Sequence, residues 1–257
     1  MDDAMFEAMC ESPEFIEEML QTILSNPKLR IIYDSVVPQK NIKNLRGRSV
    51  RLDAYVQGEE DKAFNIEIQC ADNCNHVKRV RYNASLITVN NSEPGDEFDD
   101  IQSLCVVYIT QKDFFKKGLT VYHVQSTIQE THEVIDDGLT SIYVNAENND
   151  GSKVAELMEL FNKKELDEDD KKRFPETYRR FNSIKHDKKE VNRMCEKIDN
   201  YAKKYAKEYA KEKEINMCIS MCMKFNQSRD EIISELTQRF NLTEEDADEY
   251  YTEAIQQ

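Results

Sequence analysis

The sequence predicts a mixed α/β core followed by a helical extension, and three features carry that prediction. Two runs of alternating apolar and polar residues, 49–56 and 64–69, flank a short polar link containing Gly58, the pattern of an antiparallel hairpin. Residues 104–110, LCVVYIT, form a continuous apolar run suited to a strand covered on both faces. Beyond about Leu166 the composition shifts to charged helix formers, so we expect a core of residues 1–165 and a helical extension of residues 166–257.

The elements follow in order. Ser12-Pro13, with Glu14 in the first turn, opens a helix to Leu24, because serine caps the free amides and proline fits the first helical position. At about 100° per residue, Ile16, Met19, Leu20, Ile23 and Leu24 share one face; Glu17 lies at its inward edge and Glu18 on the opposite side. In the first run Val50, Leu52, Ala54 and Val56 point one way and Arg51, Asp53 and Tyr55 the other, which reads as a half-buried strand. In the second, Phe64, Ile66 and Ile68 alternate with Asn65, Glu67 and Gln69. A helix is expected over 76–90, ended by the Asn90–Gly95 cluster. Strands are expected at 119–125 and 139–144 and a helix at 153–162. In the extension, Ser228 with Glu231 and Thr243 with Asp246 mark further helix starts.

The chain has 257 residues and a net charge of −15, which excludes a histone-like binder that neutralises phosphates over its whole surface. Between Lys28 and Arg51 the balance reverses: Lys28, Arg30, Lys40, Lys43, Arg46, Arg48 and Arg51 oppose Asp34 alone. That island reads either as a solvated loop and strand edge or as a phosphate-facing surface. Seven scattered cysteines, an odd number, fit reduced thiols rather than a disulfide framework. No apolar run approaches the roughly 18 residues that span a bilayer, and the start MDDAMFEAMCESPEF lacks a signal-like pattern. A cytoplasmic location with no membrane partner is therefore expected.

Folding the hairpin about a turn near residue 60 sets Asp53 opposite Glu67 on one face, with Gln69 a step further along. Carboxylates so placed repel unless compensated, and a divalent cation is the usual compensation. The two acids and the Ile68 carbonyl would ligate Mg²⁺ or Mn²⁺, which can polarise a phosphoryl oxygen and acidify bound water. Glu17, from the first helix, is expected to complete the acidic pocket. Spacing alone also fits a hairpin whose polar face simply meets water. On the following helix Arg79 shares a sector with Asn83, Leu86 and Ile87, while Lys78 and Arg81 point away. Arg79 could hold a phosphate in bidentate fashion, or it could merely neutralise Glu67 or Asp53 through a salt bridge. Cys70, Cys74 and His76 lack common zinc-finger spacing.

The stretches NLRGRSVRLDAYV, KAFNIEIQCADN, HVKRVRYNASLI and PGDEFDDIQSLCVVYIT closely resemble the recombination-promoting nucleases, the PD-(D/E)xK nuclease family transposases. The resemblance runs from DDAMFEAM through about Leu160, and the charged helical tail is similar to those of many members. It implies a restriction-endonuclease-like αβββαβ core that cleaves DNA phosphodiesters with a divalent metal. Asp53 then matches the metal-binding aspartate and Glu67 the (D/E) of the motif. Gln69 stands where the wider superfamily has lysine, although this group commonly carries glutamine. An amide can orient water or a phosphate oxygen but brings no positive charge and cannot act as a base. The alternative reading is a catalytically weak or inactive protein of the same fold that binds DNA or oligomerises. The stripe Tyr201, Tyr205, Tyr209 on the tail needs a covering surface, which either the nuclease core or a second copy could supply, and a homodimer through these helices is the expectation.

Overall fold

The computed structural model describes residues 3–44, 49–69 and 76–255, apart from side chains at 3, 188–190, 193–198, 200–202, 204–205, 207–209, 212, 245, 249, 253 and 255. The chain forms two compact units, residues 1–194 and 195–257. The first is built on a six-stranded mixed sheet of order β1-β4-β5-β6-β8-β7. Its strands are β1 (Val37–Pro38), β4 (Ala54–Gln57), β5 (Lys62–Gln69), β6 (Ser103–Thr110), β7 (Val121–Val124) and β8 (Leu139–Asn145). A separate ribbon pairs β2 (Asn41–Ile42) with β3 (Val50–Arg51).

Helices cover both sides of this sheet. On one side α1 (Asp3–Met9), α2 (Pro13–Ile23), α4 (Lys153–Leu160) and α6 (Pro175–His186) bring Phe6, Phe15, Leu157 and Phe181 against Ile66, Ile68, Val107 and Val144. On the other, α3 (His76–Asn91) lays Val80, Ala84 and Ile87 over Tyr55, Ala63, Val106 and Tyr108. The central strand β6 runs parallel to β5 and β8 and is buried on both faces, as its uninterrupted apolar sequence requires.

The hairpin has the expected register. Ala54 faces Ile66 and Val56 faces Phe64. Gly58 permits the turn, since its amide donates to the Lys62 carbonyl at 2.7 Å and a Cβ there would meet the Phe64 ring at 2.9 Å. Two expectations need correction. The hairpin is not half-buried: β4 and most of β5 are covered on both faces, because α3 closes the side that carries the polar residues. Nor is 49–56 one strand. A bend at Asp53 separates β3 from β4, and Leu52 packs with Tyr55 in the α3-side cluster while Ala54 and Val56 pack on the other side. The bend resets the alternation by one position.

The composition change at 166 and the division at 194/195 do not coincide. Helices α5 (Glu168–Arg173) and α6 look like surface helices by charge, yet Leu166, Phe174, Phe181 and Ile184 join the core cluster of α1 and α2. Glu18, expected to face away, is covered by this layer and caps α6: its Oε2 accepts from the Thr177 amide at 2.7 Å and hydroxyl at 2.6 Å, and its Oε1 from the Glu176 amide at 3.1 Å. The second unit holds the end of α7 (Lys188–Lys224), α8 (Arg229–Phe240) and α9 (Glu244–Ile255). Ile215, Cys218, Ile219, Cys222, Ile232 and Leu236 form its core. Its two expected helix starts are present, with a full capping box at Ser228–Glu231 and the Asp246 amide donating to Thr243 Oγ1.

Candidate active site at the carboxyl ends of the central strands

Asp53, Glu67, Gln69 and Arg79 meet where β5 ends. The bend before β4 frees Asp53 from the ladder, and its Oδ2 accepts from the Ile68 amide at 2.8 Å. Strand alternation turns the Ile68 carbonyl toward that same edge. Glu67, on the α3 side of β5, is wholly buried; its Oε1 accepts from Asn65 Nδ2 at 3.1 Å, and its Oε2 has no hydrogen-bond partner among the described residues. Arg79 reaches in from the first turns of α3. Its Nη1 donates to Gln69 Oε1 at 2.6 Å and its Nη2 lies 3.6 Å from Glu67 Oε2. Arg79 thus bridges the glutamine and the buried acid, while Lys78 and Arg81 are exposed.

The electrostatics follow from burial. Desolvation, with the Asp53 charge adding to it, pushes the Glu67 carboxyl up to about 8 against the pull of Arg79. Desolvation also raises Asp53, to about 6, although the Ile68 amide and Arg79 draw it down. Two acids that resist ionising together form a site that favours a cation between them.

Glu17 does not take the place expected of it. It does face inward, but its Oε2 accepts from the Ile31 amide at 3.1 Å and its Oε1 pairs with Arg30 at 3.7 Å, so it fastens the loop after α2. The third carboxylate near Asp53 is Glu7, on α1. Buried Glu7 pairs with Arg51 Nη2 at 2.9 Å and accepts from the Gln39 side chain. Sequence reasoning missed it because Phe6 to Cys10 are all buried, so α1 shows no amphipathic stripe that singles out an inward acid. Cys70 and Cys74 lie outside the described residues; His76 is buried with its Nδ1 3.1 Å from the Tyr108 hydroxyl.

A family model for PD-(D/E)XK nuclease family transposases matches residues 4–239. The chain belongs to that family. No curated protein and no solved structure matches it. The mixed sheet with helices on both sides is that of a restriction-endonuclease-like α+β fold, and the PD-(D/E)XK match extends through α8. No described helix is long and apolar enough to cross a membrane. PD-(D/E)XK nucleases typically use divalent metal ions. Among the described residues no three His, Cys, Asp or Glu side chains gather as a ready ligand set. The donors present are two carboxylates and a backbone carbonyl, all hard oxygens, which suits Mg²⁺ or Mn²⁺ with water filling the remaining positions. The unsatisfied Glu67 Oε2 and the raised carboxyls are what such an ion would relieve.

Proposed function

We propose that the chain is a Mg²⁺- or Mn²⁺-dependent DNA endonuclease of the recombination-promoting, transposase-associated type, working in the cytoplasm. The observation that carries this reading is Glu67, a fully buried carboxylate set beside Asp53, with one oxygen that accepts no hydrogen bond from the described residues and meets the Arg79 guanidinium at 3.6 Å. Asp53, Glu67 and the Ile68 carbonyl would hold the metal, which supplies Lewis acidity at a phosphoryl oxygen and a more acidic bound water. Arg79, steered by Gln69, would supply the positive charge that a glutamine at 69 lacks and would engage the scissile phosphate. Gln69 accepts from Arg79 through its carbonyl, which leaves its amide group to donate to phosphate or water. Purified protein with Mg²⁺ or Mn²⁺ is expected to nick supercoiled plasmid, and Asp53→Ala to leave it closed. Because residue 69 cannot act as a base, a second reading is a DNA-binding protein that cleaves poorly; retarded but uncut plasmid would favour it.

We further propose that the helices from 187 onward mediate a homodimer, which would offer two sites to a duplex. The side chains of Tyr201, Tyr205 and Tyr209 lie outside the described residues. In the second unit Met217, Met221 and Phe225 follow one another at four-residue spacing and are 64%, 54% and 77% exposed, an apolar stripe available to a partner. Light scattering is expected to give a dimer for the full chain and a monomer for a truncation before Asp187. Two monomers at micromolar concentration would remove this role.

A further inference from the structure

The connections at one end of the sheet are uniformly acidic, whereas the other end carries a basic link after β6 beside an acidic one after β8 (Glu147, Asp150), and strand register fixes which connection lies where. Lys62 pairs with Ser103 and Leu104 with Leu139 at one end; Gln69 pairs with Thr110 and Thr110 with Asn145 at the other. The links entering β5, β6 and β8 at the first end, residues 58–61, 92–102 and 125–138, hold many acids and no lysine or arginine. The link leaving β6 at the second end, residues 111–118, reads QKDFFKKG. It adjoins the candidate site, since the Gln111 amide donates to the Gln69 carbonyl at 3.4 Å.

This loop is held in shape from within. Asp113 accepts from the amides of Lys116 at 3.0 Å and Gly118 at 2.7 Å and from the Tyr122 hydroxyl at 2.8 Å. Phe114 stacks on His76 with centroids 4.6 Å apart, and Phe115 on Tyr122 at 4.9 Å. The one acid of the loop is therefore turned inward onto its own backbone. Lys112, Lys116 and Lys117 are exposed, Lys116 in the left-handed conformation that reverses the chain.

We propose that loop 111–118 is the rim on which duplex DNA docks, with Lys112, Lys116 and Lys117 meeting backbone phosphates beside Asp53 and Glu67; this rests on the nuclease reading above. Ligands of open sheets enter at the carboxyl ends of parallel strands. A loop already ordered loses little freedom on binding. The acidic links at the far end repel a polyanion, so a chain of net charge −15 meets DNA through one end only.

The test is the salt dependence of binding to a short labelled duplex, read by anisotropy in the presence of chelator. Lys112→Gln/Lys116→Gln/Lys117→Gln is expected to weaken binding about tenfold or more and to flatten the slope of log Kd against log salt by about 2 to 3, near 0.9 per lost phosphate contact. Lys117→Gln alone should flatten it by about 1. Asp96→Asn/Asp99→Asn/Asp100→Asn, a change of charge equal in size and opposite in sign at the far end, should leave the slope as it is. In plasmid nicking the lysine variant should raise KM and keep kcat. A wild-type slope in the lysine variant, or an equal shift from the far-end variant, overturns the docking rim alone. Wild-type protein that binds no DNA at low salt overturns the nuclease reading and the rim with it.

Discussion

Glu67→Gln is expected to stop plasmid nicking and, in the same protein, to raise the melting temperature of the metal-free chain at pH 8. Glu67 is fully buried, and burial with the neighbouring Asp53 charge lifts its carboxyl to about 8, against roughly 4.3 in an unfolded chain. The folded state therefore holds the proton more tightly than the unfolded state. The stability this confers is complete below about pH 4.3 and is lost as pH rises through about 8. Asp53, raised to about 6, adds an effect of the same sign that ends earlier. At pH 8 the ionised Glu67 costs on the order of 3 kcal/mol, which glutamine removes. For a unit of this size that corresponds to roughly 6–10 °C in Tm. At pH 5 the two proteins should melt close together, and Mn²⁺ at pH 8 should stabilise the wild type and not the variant. Calorimetry with and without chelator reads all of this. A glutamine variant that melts below the wild type at pH 8 would show that the Arg79 ion pair outweighs the cost of burying the Glu67 charge.

The second large effect concerns the position where a lysine would be expected. Arg79 and Gln69 are bonded at 2.6 Å, so a lysine placed at 69 would set two cations against each other. Gln69→Lys alone is expected to lower nicking about a hundredfold, and Arg79→Gln alone by about a hundredfold to a thousandfold, the usual range for removing one donor that stabilises developing charge. The double variant Gln69→Lys/Arg79→Gln exchanges the two groups across the same contact and should recover most of the loss. That non-additivity is the signature of a shared site. Two losses that simply multiply would mean that residue 69 and Arg79 act independently.

The hairpin was legible because alternation and a glycine-containing link fix register between them, and a one-residue slip would have turned its apolar side chains to the wrong face. Arg79 was legible because helical periodicity sets which basic residue of α3 points to the sheet. The bend at Asp53 was not, since a break in phase of one residue leaves every residue type on 49–56 unchanged. Glu17 and Glu7 show the sharper limit. Both are inward-facing acids on early helices, and only the packing of α1 decides that Glu7 approaches Asp53 while Glu17 fastens the loop at Ile31. The charged composition of α5 and α6 likewise hid Phe174, Phe181 and Ile184, whose burial depends on α1 and α2, which lie about 160 residues earlier in the chain.

The bend at Asp53 also bears on the order in which the protein assembles. The bond from the Ile68 amide to Asp53 closes a loop of residues 53–68, whereas the shelter over Glu67 waits on α3 and on strands β6 and β8, out to Asn145. Short loops close early because their entropic cost is small, and long-range parallel pairing comes later. The two carboxylates are therefore brought together while water still screens them, and their repulsion grows only as the sheet seals over them. Their conflict falls on the last steps of folding, where it bears on the rate of unfolding more than on the rate of folding.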